Sequence, residues 1–381
     1  MKILYIVSSN SWGGANIALY NLIYELQSKH EILVVFPCKG SIFQSKLDDL
    51  GVQHIALEYH INVYPKIWNP YKWGKLFITT LINNYRARKD IKQIIKEFEP
   101  DIVHNNVGPI DISLDACKKL GIPHVWHLRE YQDLDFNMTF IPSKNYFKRK
   151  ILQQGNYNIA ITKEVFNHWS LRENTDRVIY DGVFDKIRSG KQPIQKGDYF
   201  LFVGRVQEGK GTLGAIKAFT IFNKHRNNYR LLIAGKYWLS GKYFKECQKY
   251  IRQNKLEDKI EFLGERNDIF PLMQQAIALL VPSYFEGFGF ITAEAMLNYC
   301  PVIGRNTGGT KEQFDNGLRL TGHEIGFRFN TINEMAIQME KVTITDTTEI
   351  QRYAYQVVTE NYTQQIHAKH IEDYYHWILR I

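Results

Sequence analysis

Short apolar runs recur along the chain, and most end in a turn that carries glycine, asparagine or histidine. The runs at 2–8 (KILYIVS), 31–37 (EILVVFP), 100–104 (PDIVH), 123–128 (PHVWHL) and 158–162 (NIAIT) are apolar at consecutive rather than alternate positions. That is the pattern of strands buried on both faces, as in a parallel sheet. Further strands are expected at 52–57 and 177–183. After the first strand comes the turn NSWGG at 10–14. Residues 15–27 then place Ile17, Leu19, Leu22, Ile23 and Leu26 at helical spacing. Strand, glycine turn and helix open a βαβ unit. The turn lacks the GxGxxG spacing of a dinucleotide site, which speaks against a nicotinamide enzyme.

The same pattern restarts in the second half. A strand at 199–203 (YFLFV) leads into the loop GRVQEGKG at 204–211, and the helix at 212–222 carries Leu213, Ile216 and Phe219 on one face. Strands follow at 230–234, 260–263, 276–281 and 302–303, with helices from 351 onward. The intervening stretch 184–197 is rich in Lys, Ser, Gly and Pro and reads as a linker. Two domains are therefore expected, 1–183 and 198–361.

The chemistry concentrates in PSYFEGFGFITAEAM, residues 282–296. A strand precedes it, and a helix is expected from Ala293. Gly287 and Gly289 lie between, where the backbone bends or lets a ligand approach. Strand, glycine turn and helix start favour an anion, because the first helical N–H groups are unpaired at the positive end of the dipole. Two carboxylates, Glu286 and Glu294, frame this turn. An acid beside an anion site suits a ligand that also carries hydroxyls, which a carboxylate accepts strongly. The expected ligand is a nucleotide diphosphate sugar. The plain alternative is an ordinary strand-turn-helix with one dipole-stabilising glutamate.

These residues carry a family resemblance. The Glu-x7-Glu pattern of Glu286 and Glu294, with Pro301-Val302-Ile303 and Gly308-Gly309-x-x-Glu312 after it, resembles the retaining glycosyltransferases of family 4. Further matches run along almost the whole chain, among them the GR-x4-KG pattern that contains Arg205 and Lys210. The resemblance implies an α/β protein of GT-B fold, two Rossmann-like doubly wound domains facing a central cleft. The first would bind the acceptor, with a C-terminal helix at about 362–381 crossing back to it. The second would bind the nucleotide sugar. It implies that Gly13 and Gly14 lie against the diphosphate and the incoming acceptor. His127 would sit at the sugar and be needed for turnover, with Arg129 and Glu130 as acceptor-side polar groups. Arg205 and Lys210 would stabilise the leaving pyrophosphate, one as a planar fork and one as a point charge. Gly264, with Glu265 and Arg266, would line the base. Glu286 would hold sugar hydroxyls, Glu294 the ribose, and Gly287, Phe288, Gly289 and Phe290 would complete the donor site. Glu312 has no clear role.

Retention of anomeric configuration and a metal-independent reaction are further implications, since fixed cations replace a divalent ion. UDP-sugars are the commonest donors in the family. The acceptor would be a glycan or lipid-linked glycan in bacterial-type surface polysaccharide assembly. A nucleotide-sugar epimerase of related shape is the alternative enzyme, and a non-catalytic sugar-nucleotide-binding protein a third class.

Composition adds three points. With 381 residues and 44% hydrophobic content, the chain can bury two full cores. Its N-terminus does not read as a signal peptide, and no apolar run is long enough to span a bilayer. Cys38, Cys117, Cys247 and Cys300 have neither metal spacing nor pairing logic, so buried thiols in a reducing cytoplasm are expected. No metal cluster is visible among the histidines.

The net charge of +9 allows phosphorylated substrates or anionic lipid. Without a nucleic-acid motif, that partner ranks last. Residues 59–89 interleave Tyr64, Trp68, Tyr71, Trp73, Phe77 and Tyr85 with Lys66, Lys72, Lys75, Arg86, Arg88 and Lys89. This composition fits either a peripheral contact with anionic lipid on the inner face of the plasma membrane, or an amphipathic helix with a solvated basic edge. KNYFKRK at 144–150 would extend the patch. Asp133-Leu134-Asp135 matches the metal-diphosphate triplet of the other large glycosyltransferase fold. Three-residue matches arise by chance, so it is set aside.

Overall fold

The computed structural model describes residues 1–66, 69–183 and 196–380. Most of the expected linker, 184–195, lies outside the described residues, as does Trp68. The chain divides into two compact units, Met1–Gly182 with Gln364–Ile381, and Val183–Thr363.

In the first unit the strands are β1 (Lys2–Val7), β2 (Glu31–Phe36), β3 (Gln53–Ala56), β4 (Val63–Pro65), β5 (Ile102–Asn106), β6 (His124–Leu128), β7 (Met138–Phe140), β8 (Asn156–Ala160) and β9 (Arg177–Val178). Seven of them form a parallel sheet in the order β3-β2-β1-β5-β6-β8-β9, while β4 and β7 pair antiparallel apart from it. Successive side chains leave a strand on opposite faces. Ile3, Tyr5 and Val7 accordingly join one core cluster, and Leu4 and Ile6 another. The first face is covered by the helices Gly14–Leu26 and Gln364–Ile378. The second is covered by Ala87, Ile91 and Ile95 of the helix Pro70–Phe98.

The closing strand expected at 177–183 is only two residues long. Asp181 turns to pair with Arg129, and the Val183 N–H donates to Tyr362 O at 2.7 Å instead of extending the sheet. The 59–89 stretch resolves into the short β4 and the first two-thirds of the long helix. Asn69 caps that helix by accepting from the N–H groups of Tyr71 and Lys72 at 3.0 and 3.2 Å.

The second unit holds β10 (Tyr199–Val203), β11 (Arg230–Ala234), β12 (Ile260–Gly264), β13 (Ala278–Val281), β14 (Val302–Arg305) and β15 (Phe327–Phe329). They form one parallel sheet in the order β12-β11-β10-β13-β14-β15. Strand β15 was not anticipated, since Arg328 interrupts an already short run. The expectation of buried thiols holds for Cys117, Cys247 and Cys300, but Cys38 is exposed. It stands in the loop after β2, beyond the sheet's cover, where the Asn10 amide donates to its Sγ at 2.7 Å.

The helix Gln364–Ile378 contributes Ala368, Ile371, Tyr374, Tyr375 and Ile378 to the first core cluster. Replacing Ile371, which is wholly buried, by Ala should lower the unfolding free energy of this unit by about 2–5 kcal/mol through lost transfer energy and a cavity. Urea titration followed by the fluorescence of buried Trp126 and Trp169 measures it. A change below about 0.5 kcal/mol would contradict a core role for the helix.

Candidate active site

In an open parallel sheet, ligands bind beyond the carboxyl ends of the strands where the strand order reverses. In the second unit that reversal lies between β10 and β13. The loop after β10, from Gly204 to Gly211, and the loop after β13, from Pro282 to Gly289, meet there. The Tyr284 N–H donates to Gly209 O at 3.1 Å. Gly211 has φ +72°, and a Cβ there would lie 2.5 Å from Pro282 O, so no side chain fits between the loops.

The turn after β14 presses on the second loop from the other side. Gly308 has φ +57°, and a Cβ would lie 2.6 Å from Glu286 O, while the Gly309 N–H donates to that same oxygen at 2.9 Å. Gln313 Nε2 donates to Phe288 O at 2.7 Å. Arg305 Nε donates to Pro282 O at 3.0 Å, and its guanidinium lies 4.4 Å from the Tyr284 ring centroid. Arg305 and Gln313 were not singled out from sequence. Their task is to hold backbone, and nothing in the spacing of the chain marks that.

The outcome of this clamping is an ion pair across the reversal. Lys210 Nζ lies 2.6 Å from Glu286 Oε1, with the lysine side chain 30% and the glutamate 12% exposed. Lys210 ends a single 3-10 turn, Glu208–Lys210. Arg205 is exposed at the start of the same loop, and its guanidinium has no ion pair or hydrogen bond among the described residues. The helix begins three residues earlier than expected and spans Phe290–Leu297, because Gly289 takes the left-handed N-cap conformation at φ +83°. Glu294 is therefore in its second turn and half-buried. No side chain caps this N-terminus and no acid sits in its first turn, which leaves its positive end available to an anion.

Gly287 and Phe290 are half-buried beside Glu286. The Phe288 ring is buried, at 5.3 Å from Phe290 and 5.4 Å from Tyr362, so this residue can offer a ligand only its backbone. Gly264 ends β12, two strands from β10, with φ +70° and its carbonyl accepting from the Gly235 N–H at 2.7 Å.

The first unit reverses between β1 and β5. Gly13 is the extended N-cap and Gly14 the first residue of the helix after β1, again without a side-chain cap. Asn16 Nδ2 holds this turn by donating to Ser9 O and Ser11 O, both at 2.8 Å. Asn105 and Asn106 end β5 and are wholly buried. Asn106 bonds to Ala15 O and to Arg129. Arg129 is likewise no open acceptor-side group. It is 4% exposed, donates from Nε to Asn106 Oδ1 at 2.9 Å, and pairs with buried Asp181. Glu130 accepts from Gln132 Nε2 at 2.7 Å.

His127 lies in β6, fully buried, with Nδ1 3.2 Å from His104 Nε2 and 3.3 Å from Arg129 Nη2. Its ring stacks on His367 at 6.0 Å. Burial, then Arg129 and the neighbouring imidazoles, holds its pKa well below the usual histidine range. Of the Asp133-Leu134-Asp135 triplet, Asp133 pairs with Lys144 and His168 at 2.7 and 3.1 Å, and Asp135 accepts from the Tyr131 N–H at 2.9 Å. No group of three or more His, Cys, Asp or Glu able to hold a metal occurs among the described residues.

Known families divide the chain as the two units do. Residues 12–184 match the model of Glycosyltransferase Family 4, and residues 183–342 that of Glycosyl transferases group 1. The chain is a glycosyltransferase. It is 29% identical over 247 residues to an uncharacterized glycosyltransferase of Methanocaldococcus jannaschii, covering 62% of this chain and 63% of that protein. It is 22% identical over 82% of its length to the GalNAc-alpha-(1->4)-GalNAc-alpha-(1->3)-diNAcBac-PP-undecaprenol alpha-1,4-N-acetyl-D-galactosaminyltransferase of Campylobacter jejuni, of which 81% is covered. Among solved structures, HepE of Anabaena in complex with UDP superposes with a TM-score of 0.77 at 20% identity, covering 98% of this chain and 99% of that one. The same Anabaena protein has been solved with UDP-glucose. The glycosyltransferase thus has the GT-B fold, two Rossmann-like parallel sheets with their helices.

Its first unit should be unusually sensitive to mild acid. His104, His124, His127 and His367 are at most 3% exposed, and burial lowers the pKa of each, to about 3 for His124 and about 4 for His367. Unfolded histidine titrates near pH 6.5. Between there and the folded values the unfolded chain binds more protons, so stability falls as pH falls, by about 1.4 kcal/mol per pH unit for each imidazole. Calorimetry from pH 7.5 to 4.5 should show the melting temperature dropping before any carboxylate titrates. A flat profile would contradict four neutral buried rings.

Proposed function

We propose that this glycosyltransferase moves a sugar, with retention, from a nucleotide diphosphate sugar held by the second unit to a glycan or lipid-linked acceptor held by the first. The observation that carries the reading is the Lys210–Glu286 pair at the strand reversal, in the loop where Arg205 has no partner among the described residues, beside an uncapped helix N-terminus. A lysine and a carboxylate in one 2.6 Å contact hold each other in place and keep spare capacity. A donor can fill it, with phosphoryl oxygens at Lys210 and sugar hydroxyls at Glu286. As the anomeric carbon–oxygen bond breaks, negative charge grows on the diphosphate, where Arg205, Lys210 and the helix end are already oriented. The acceptor hydroxyl bonds to the anomeric carbon and its proton passes to the departing phosphate, with no covalent sugar–enzyme stage. Glu294 takes the ribose and Gly264 borders the base. Gly13 and Gly14 leave room for the diphosphate and the acceptor, and His127 binds the sugar.

Fixed cations do the electrostatic work of a divalent ion, so metal is not required. The UDP and UDP-glucose complexes of the Anabaena protein support a UDP-sugar. The undecaprenol-linked acceptor of the Campylobacter enzyme supports surface polysaccharide assembly. Both matching family models describe transferases, which favours transfer over epimerisation.

Lys210→Ala and Glu286→Gln should each lower kcat/KM by about 10²–10³. Circular dichroism should remain native, because a partly exposed ion pair contributes little to stability. Near-normal turnover in both variants, measured with the nucleotide sugar that most raises the melting temperature, would refute the site.

The acceptor side includes a lipid-facing surface in this reading. From Pro70 to Lys89 the long helix has no acidic residue. Exposed Tyr71, Ile78, Leu81, Ile82 and Tyr85 fall within an arc of about 100° at 3.6 residues per turn, and Lys75, Arg86 and Lys89 lie on or beside it. Asp111 pairs with both Arg88 and Lys150, tying this helix to the basic helix Lys144–Ile151. No helix among the described residues is long and apolar enough to cross a membrane, so contact would be interfacial. The protein should sediment with vesicles containing anionic lipid and not with neutral ones, and the double change Ile78→Glu, Ile82→Glu should abolish it. Equal sedimentation of wild type and variant would exclude this face.

A further inference from the structure

The loop that follows β11 in the second unit turns two large apolar side chains outward. Trp238 is 53% and Leu239 74% exposed. The turn that presents them is well braced. The Gly241 N–H donates to Trp238 O at 2.8 Å and closes residues 238–241 as a β-turn, with Leu239 and Ser240 at its tip. Before it, the Tyr237 ring stacks on buried Phe244 with centroids 4.5 Å apart and planes 11° from parallel. The Val206 N–H donates to Lys236 O at 2.9 Å, which fixes the foot of the loop to the one after β10. Trp238 and Leu239 are therefore held out in water by a formed turn.

The turn is set among cations. Lys236 precedes it, with Nζ 5.8 Å from the Trp238 ring centroid, and Lys242 and Lys245 follow. All three are exposed, and none forms an ion pair among the described residues. From Arg230 to Lys245 the chain has no acidic residue, and Arg230 itself is paired with Glu261. Lys242 and Lys245 are the first and fourth residues of the helix Lys242–Gln253, which has no acid in its first turn and no side-chain cap. Cations at that end oppose the helix dipole. Local rules of this kind are broken chiefly at functional sites.

We propose that the loop 236–242 is a membrane-contacting tip of the second unit. Trp238 and Leu239 enter the head-group boundary of an anionic phospholipid bilayer, and Lys236, Lys242 and Lys245 meet the lipid phosphates. Trp, with an apolar body and one polar N–H, suits that boundary. A two-residue tip is a weak anchor, so it adds to other contacts and does not hold the protein on a bilayer alone. The competing occupant is a nucleobase or sugar stacked on Trp238. It would use the ring, but it leaves Leu239 and the lysines beyond the turn without a role. The tip stands at the carboxyl end of β11, one strand from β10. The donor site would then open close to the bilayer in which a lipid-linked acceptor is anchored. That consequence rests on the proposed function, and the contact itself does not.

The test uses the full chain with Cys38→Ser and Leu239→Cys and a polarity-sensitive fluorophore at position 239, since the other cysteines are buried. Vesicles of phosphatidylglycerol and phosphatidylcholine should shift its emission to the blue, and lipids brominated on the acyl chain should quench it. Phosphatidylcholine alone should do neither. In the unlabelled chain, Trp238→Ser with Leu239→Ser should lower the partition coefficient for the anionic vesicles by roughly 10-fold. Lys242→Gln and Lys245→Gln should each lower it by roughly 5-fold at low salt. Melting temperature and affinity for the nucleotide sugar should stay unchanged in all of these variants. An unshifted, unquenched label at a lipid concentration that sediments the protein overturns the proposal, and so does a protein that sediments with no vesicle. A label that answers to the nucleotide sugar and not to lipid, with Trp238→Ser weakening that ligand, assigns the ring to the donor and also overturns it. If Ile78→Glu with Ile82→Glu leaves sedimentation unchanged while the label is quenched, the first unit's face fails and this tip stands. The vesicle readouts need no transfer activity, so they decide the contact whether or not the proposed reaction holds.

Discussion

The donor-side geometry depends on backbone packed against backbone at distances no side chain permits. Gly211 lies against Pro282, and Gly308 and Gly309 lie against the carbonyls of Glu286 to Phe288. Three strand-end loops thereby form one rigid layer, and Glu286 is carried to Lys210 rather than left to find it. The ion pair is weak as a contribution to stability, being partly exposed. In the proposed reaction its value lies in orientation. Charges fixed before a ligand arrives stabilise developing charge without the cost of reorganising at the moment of reaction.

The first unit solves a different problem at the corresponding end of its sheet. There the polar groups are deep, and deep polar groups must be paired. His104, His127, Arg129, Asn106, Asp181, Tyr375 and His367 form a connected network, closed by residues of the C-terminal helix. Arg129 donates within it to Asn106 and pairs with Asp181. Burial keeps the imidazoles neutral, and neutral imidazoles can each donate at one nitrogen and accept at the other. The burial that keeps these rings neutral also makes the unit vulnerable to acid.

The long helix Pro70–Phe98 serves two functions along its length. Its later turns bury Ile91 and Ile95 against the sheet, while its earlier turns expose Ile78, Leu81 and Ile82 among cations. Exposed apolar side chains cost solubility unless something covers them. Between Pro70 and Lys89 that face carries cations and no acid.

Much of this was written in local order along the chain. Parallel strands buried on both faces read as continuous apolar runs, so β1, β10 and β13 were legible, and so was their repetition as two doubly wound units. The glycines and acids of residues 282–296 are contiguous, and their family resemblance pointed to sugar transfer before any coordinates. Short or polar elements such as β15 were not legible, since three residues around an arginine carry no period. The start of the helix at Phe290 depended on the conformation of Gly289, which composition does not reveal. The partners of His127 were hidden for a stronger reason. His104 precedes it by 23 residues and Tyr375 and His367 follow it by 240 or more, so only the folding of the last helix onto the first sheet brings them together. Sequence specifies which groups can donate, accept or carry charge. Which of those groups meet is a property of distances between residues remote in the chain.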